Sequence, residues 1–178
     1  TPANGVSDLA LSPDGARLTF LRDGDLWSWP LEGTAAAARH TTIGVAGIAR
    51  VPLGSYNRAD AEVGTGVWGA NWMPYQWAPD GRTIAVHHVD RRHLRKVPFP
   101  YYLGQETVVN ELRRGYPGDE NERRVLSLLE VATGTLRAIP LDAPGYRAIS
   151  DFAWSRDGRL LIDQVSDTGA ERWLWVLD

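Results

Sequence analysis

One short pattern occurs three times along this chain, and it limits what the chain can fold into more than any other feature. Leu9–Gly15 reads LALSPDG, Tyr75–Gly81 reads YQWAPDG and Phe152–Gly158 reads FAWSRDG. In each copy an apolar approach runs into a turn. Proline presets φ near −65°, aspartate bonds nearby backbone N–H groups, and glycine takes a positive φ at no steric cost. Arg156 stands in the third copy where the others have proline. Each turn is followed by a short apolar run: Ala16–Leu21 (ARLTFL), Arg82–Val86 (RTIAV) and Arg159–Asp163 (RLLID). These runs are rich in strand formers, so each unit begins as a β-hairpin.

Further strands follow in each unit. Asp25–Pro30 (DLWSWP), Arg124–Val131 (RVLSLLEV) and Arg172–Leu177 (RWLWVL) supply a third strand. The last two are almost continuously apolar, as strands covered on both faces are. Ala37–Thr42 and Thr135–Pro140 supply a fourth, and the third unit has none. Repeated units of four antiparallel strands predict an all-β fold, a β-propeller fragment of about three blades. Blade 1 is expected over about 6–42 and blade 2 over about 73–140, with an incomplete blade 3 over about 148–178. The turns are spaced more widely than the roughly 40–50 residues of a plain blade. Two long insertions, 43–72 and 89–122, account for the excess. Propellers close with about four to eight blades, so this chain does not close a ring. Open blade edges predict self-association.

Composition removes several classes of function. Among 178 residues there is no cysteine, which excludes disulfides and thiolate metal sites. A net charge of −3 argues against nucleic-acid and membrane-surface binding. No apolar run approaches the roughly 20 residues of a membrane span. Lys96 is the only lysine among 19 basic residues, a usage that fits a GC-rich bacterial genome. The sequence does not fix a location. The lack of a signal pattern at Thr1 leans towards the cytoplasm, and export stays open if a leader has been removed.

Candidate chemistry is sparse. No Gly-x-Ser-x-Gly is present, so no catalytic residue is expected in this chain. Gly64–Gly69 spells GTGVWG, but no strand-to-helix context surrounds it, and a loop is expected without a cofactor. His87, His88, Asp90 and His93 are metal-capable. Neighbouring strand residues point to opposite faces, so His87 and His88 cannot readily share an ion, and no metal is expected. The basic residues Arg91–Lys96, Arg113–Arg114 and Arg123–Arg124 flank the second insertion with Asp119, Glu120 and Glu122 beside them. They read mainly as a solvated face with local pairing. Thr107–Arg114 carries apolar residues at helical spacing and reads as a short helix or an irregular loop. Six of the eight tryptophans (27, 29, 77, 154, 173 and 175) fall in expected blade strands, where packing between blades explains them. Trp68 and Trp72, in the first insertion, are the better candidates for a functional surface.

The ordered set Ser12–Gly15, Asp23–Trp27 (DGDLW), Trp77–Gly81, Pro98–Tyr102 (PFPYY) and Tyr116–Asn121 (YPGDEN) resembles the N-terminal propeller of dipeptidyl peptidase IV-like serine peptidases, within the prolyl oligopeptidase group. The resemblance implies a serine exopeptidase that removes Xaa-Pro or Xaa-Ala dipeptides. Its catalytic residues would lie in a C-terminal α/β-hydrolase domain, and the propeller would gate access and help anchor the substrate amine. The family carries paired glutamates about ten residues before the tryptophan of the second turn; this register holds Val67 and Trp68 here. The nearest acids are Asp60 and Glu62, and the resemblance makes Glu62 the candidate partner for a substrate ammonium, against the plainer reading of a solvated loop residue. The expected partners are a peptide substrate and the hydrolase domain. The competing reading is a TolB-like propeller serving as a protein-binding or scaffolding module.

Overall fold

The computed structural model describes residues 5–44, 60–64, 74–102, 104–141, 147–166 and 168–178. The three repeated turns share one hydrogen-bond pattern. In the first, the Gly15 N–H reaches Ser12 O at 2.8 Å, and the Ser12 hydroxyl accepts the Arg17 N–H at 2.9 Å and donates to Asp14 at 2.5 Å. The third turn repeats this with Ser155, Asp157, Gly158 and Arg159. Ala78 removes the hydroxyl from the second, where Asp80 accepts the Arg82 and Thr83 N–H groups at 2.8 and 3.2 Å instead. Gly15, Gly81 and Gly158 hold φ of 71°, 67° and 89°, a region in which side chains are strained.

Three antiparallel sheets carry the architecture. The first contains β1 (Val6–Leu11), β2 (Arg17–Arg22), β3 (Asp25–Pro30) and β4 (Ala38–Arg39) in that order. Arg22 pairs with Asp25, leaving Asp23 and Gly24 as a two-residue loop with φ of 53° and 77°. Two positive φ values match the twist of the flanking strands. The second sheet is built on β7 (Thr83–Asp90) and β10 (Arg123–Glu130), with β11 (Thr135–Ala138) outside β10. On the other side of β7 lie two short strands end to end. β5 (Ala61–Val63) pairs with residues 90–88 and β6 (Tyr75–Trp77) with residues 86–84. The third sheet is β12 (Arg147–Trp154), β13 (Leu160–Ser166) and β14 (Arg172–Leu177). These are stacked antiparallel sheets, all-β and open, as the repeat predicts for a propeller fragment.

The first insertion is therefore not all loop, since it supplies β5 to the second sheet. The second insertion also forms strands. β8 (Lys96–Tyr101) and β9 (Val108–Arg113) pair as a separate hairpin. The helical spacing seen in Thr107–Arg114 is overridden by this pairing. Among the described residues there is no helix.

Side-chain alternation on β7 joins the sheets. Ile84 and Val86, with Tyr75, Trp77 and Leu129, pack on Leu21 and Leu26 of the first sheet. Ala85, with Leu126, packs on Ile149, Phe152, Leu160 and Ile162 of the third. Burial of each such aliphatic side chain contributes about 1.5–3 kcal/mol. The aromatic polar groups tie the seams. Trp77 Nε1 donates to Thr19 Oγ1 at 3.0 Å, and the Tyr75 hydroxyl donates to the Asp8 carbonyl. Trp154 Nε1 donates to Gln76 O at 3.1 Å. β10 is covered on both faces, as its apolar run predicts. β14 is not: Leu174 is 77% and Val176 56% exposed, because this sheet has a neighbour on one face only.

Candidate functional site

Register brings four charged side chains together at one end of the second sheet. Glu62 and Arg124 both pair with Val89, from opposite sides of β7. Cross-strand partners share a face, so their side chains project together. Arg91 follows Val89 by two residues and Glu122 precedes Arg124 by two, and the period of two keeps both on that face.

The contacts follow from this placement. Arg91 Nη1 donates to Glu62 Oε1 at 2.9 Å, and Arg91 Nε donates to Glu122 Oε2 at 2.7 Å. Arg124 Nη2 donates to Glu122 Oε1. Exposure is graded across the set. The Arg91 side chain is fully buried, those of Arg124 and Glu122 are 8% and 12% exposed, and that of Glu62 is 24% exposed. Burial pushes the Glu122 carboxyl up, but Arg124 and Arg91 outweigh it and hold the group below the usual glutamate range. Burial disfavours the Arg91 cation, while Glu122 and Glu62 hold its pKa above the ordinary value. Glu62 is the most exposed of the four.

Neighbouring segments fix the edges of the set. The Arg91 N–H donates to Asp60 O at 2.8 Å, and Asp60 pairs with Arg113 at 2.9 Å. The Tyr116–Asn121 segment turns through the Asp119 carboxylate, which accepts the Tyr116 N–H at 2.9 Å and a bond from Arg95 at 2.5 Å. This turn delivers Glu122 to its place. Arg91 and Arg124 are thus not part of a solvated face, although Arg92, Arg95 and Lys96 are half or more exposed. The two-residue spacings Val89–Arg91 and Glu122–Arg124 were present in the sequence, but the pairing that joins them was not.

The other sequence candidates do not gather. Residues 65–69 of the Gly64–Gly69 motif, with Val67, Trp68 and Trp72, lie outside the described residues. His87 and His88 project to opposite faces. His87 is 1% exposed beside Phe152, with a ring separation of 6.4 Å. Asp90 is bound by Arg92 at 2.6 Å, and His93 Nε2 bonds the Asn121 carbonyl at 2.9 Å. Among the described residues no group of three metal-capable side chains is arranged around a common point.

Comparison with known proteins places this geometry. The chain superposes on dipeptidyl peptidase 4 of Porphyromonas gingivalis with a TM-score of 0.76 and 16% identity, over 99% of this chain and 24% of that one. It superposes on a protein described as a dipeptidyl aminopeptidase IV from Bacteroides ovatus with a TM-score of 0.66 and 16% identity, over 100% and 23% of the respective chains. The chain therefore spans about a quarter of the length of these structures, and at this identity the likeness concerns the fold. No curated protein matches the sequence. Residues 70–172, more than half of the chain, match the model of the dipeptidyl peptidase IV N-terminal region, a match that begins after Glu62. The chain belongs to the family of the dipeptidyl peptidase IV N-terminal region.

Proposed function

We propose that this chain is the non-catalytic propeller region of a serine exopeptidase, where it gates and positions peptide substrates for a C-terminal α/β-hydrolase domain outside this chain. Glu62 accepts the N-terminal ammonium of the peptide. One observation carries this reading: Glu62 is the most exposed member of the charge set, with one carboxylate oxygen held by Arg91 at 2.9 Å. A carboxylate fixed in this way presents its remaining acceptor sites without having to be ordered on binding, and a charged acceptor suits an ammonium donor. Arg91 shares the charge of Glu62, so the anchor is weaker than a lone carboxylate would be.

The test uses the complete reading frame and a pair of substrates, one with a free N-terminal amine and one N-acetylated. Glu62→Gln is expected to raise KM for the free amine about tenfold, the loss of one charge-assisted bond of about 1.5 kcal/mol. The acetylated peptide should be unaffected. Equal effects on both substrates would remove Glu62 from amine recognition.

On its own, the chain is proposed to self-associate. Among the described residues β14 has no partner strand on its outer side, and its own Leu174 and Val176 are exposed. Sedimentation velocity should show a mass that grows with concentration. A concentration-independent monomer would overturn this reading.

A further inference from the structure

We propose that Gly24, in the first sheet, is a positioning residue for Glu62, in the second; this rests on the reading of Glu62 as the amine anchor. The tip of the β2–β3 hairpin reaches across to β5, where the Val63 N–H donates to Gly24 O at 2.7 Å. A Cβ on Gly24 would lie 3.4 Å from Glu62 Cβ, 3.5 Å from Ala61 O and 3.1 Å from Gly44 Cα. The hairpin tip is thus packed against the backbone that carries Glu62, not merely near it.

The tip is itself held from behind. Asp25 is fully buried, and its Oδ1 accepts the N–H groups of Ile43 and Gly44 at 2.7 and 3.0 Å and the Thr41 hydroxyl at 2.6 Å. Gly44 lies so close that a Cβ there would meet Asp23 O at 2.2 Å. A continuous set of contacts therefore runs from Asp25 through Gly44 and the Asp23–Gly24 turn to Val63 and Glu62. β5 has only three residues and its pairing with β7, which is little to fix a side chain within the few tenths of an ångström that ligand positioning needs. The hairpin tip supplies the missing constraint from the side opposite Arg91.

Gly33 provides the control. Its φ of +83° resembles the +77° of Gly24, but nothing lies within 4 Å of a Cβ placed on it. Gly24→Ala and Gly33→Ala therefore carry similar backbone strain, and only the first sets a methyl against neighbours, tightly on Gly44 Cα at 3.1 Å and at ordinary contact on Glu62 Cβ at 3.4 Å, so that relief of the Gly44 contact shifts the tip against β5. In the complete protein, Gly24→Ala is expected to raise KM for a free-amine peptide about tenfold, as small displacements of a positioned group do. kcat, and KM for the N-acetylated peptide, should not change, and Gly33→Ala should leave all of these constants unchanged. In a Glu62→Gln background, Gly24→Ala should have no further effect on KM.

Equal constants for Gly24→Ala and Gly33→Ala, with Glu62→Gln still raising KM, would overturn the positioning role and leave the anchor standing. An unchanged KM for Glu62→Gln would overturn both. If Gly24→Ala does not fold, amide exchange in the unaltered protein decides. Protection of the Val63 N–H equal to that of Leu26 supports the contact, and exchange at the rate of an exposed amide overturns it.

Discussion

Replacing Arg91 with methionine is expected to destabilise the protein by about 3–5 kcal/mol, the cost of removing the buried cation that two partly buried carboxylates share. The Arg91 side chain has no exposure and bonds Glu62 and Glu122 at once. Methionine fills much of the same volume, so the loss is electrostatic rather than a cavity. Removing the charges together should therefore recover most of it. The quadruple variant Arg91→Met, Arg124→Met, Glu62→Gln, Glu122→Gln is expected within about 1–2 kcal/mol of the unaltered protein, since a buried ion network replaced as a unit is often nearly neutral. Urea unfolding midpoints at neutral pH measure both. A loss below about 1 kcal/mol for the single variant would mean that the charges are solvated, as in surface pairs.

Acid should unfold the protein earlier than its carboxylates alone would require. Burial, with Arg124 and His88 nearby, lowers the His87 pKa to about 3, and neither ring nitrogen has a hydrogen-bond partner among the described residues. The folded state therefore keeps His87 neutral, while the unfolded chain protonates it near pH 6.5. The unfolded state binds the extra proton below that value, so stability is full above pH 6.5 and falls as pH drops towards 3. The expected slope is about 1.4 kcal/mol per pH unit once His87 in the unfolded chain is fully protonated. His40 and His88 are shifted in the same direction, chiefly by burial, and add to the slope. The carboxylates of Asp25, Asp90 and Glu122 are held below their ordinary values and contribute mainly at lower pH. His87→Leu removes a titrating group that has no bonds to lose. It should flatten the stability profile between pH 6 and 4.5 without destabilising the protein at pH 7. An unchanged slope would show that His87 is reached by water or a partner group in solution.

Legibility from sequence followed the range of the forces involved. The three turns are local, and their chemistry was complete within a few residues. β3 falls on the residues that alternation and a closing proline marked, and β14 on those that a nearly continuous apolar run marked. The hairpin of β8 and β9 was not legible, because Val108, Val109 and Leu112 fit a helix as well as a strand until Lys96–Tyr101 pairs with them. The exposure of Leu174 and Val176 was also missed. An apolar run shows that a strand is capable of burial on both faces, not that both faces have neighbours. At the candidate site the residue types were visible and their grouping was not. Arg91 and Arg124 looked like members of basic runs, and only the pairing of Arg124 and Glu62 with Val89, two residues before Arg91, gathers them with Glu62 and Glu122.

The strand alongside β7 is interrupted, and its two halves meet at His87. The Gly64 N–H bonds the His87 carbonyl at 3.0 Å, and the His87 N–H bonds the Pro74 carbonyl at 3.0 Å. Gly64 and Pro74, which flank residues 65–73 in the sequence, thus meet the same residue of β7. Loop closure costs only about 0.6 kcal/mol for each doubling of length. The number of residues between Gly64 and Pro74 can therefore change at little cost while β5 and β6 stay in place. Counting residues back from Trp77 is then a poor ruler for locating an acid on β5, and related chains are better aligned by their pairing to β7 than by their spacing.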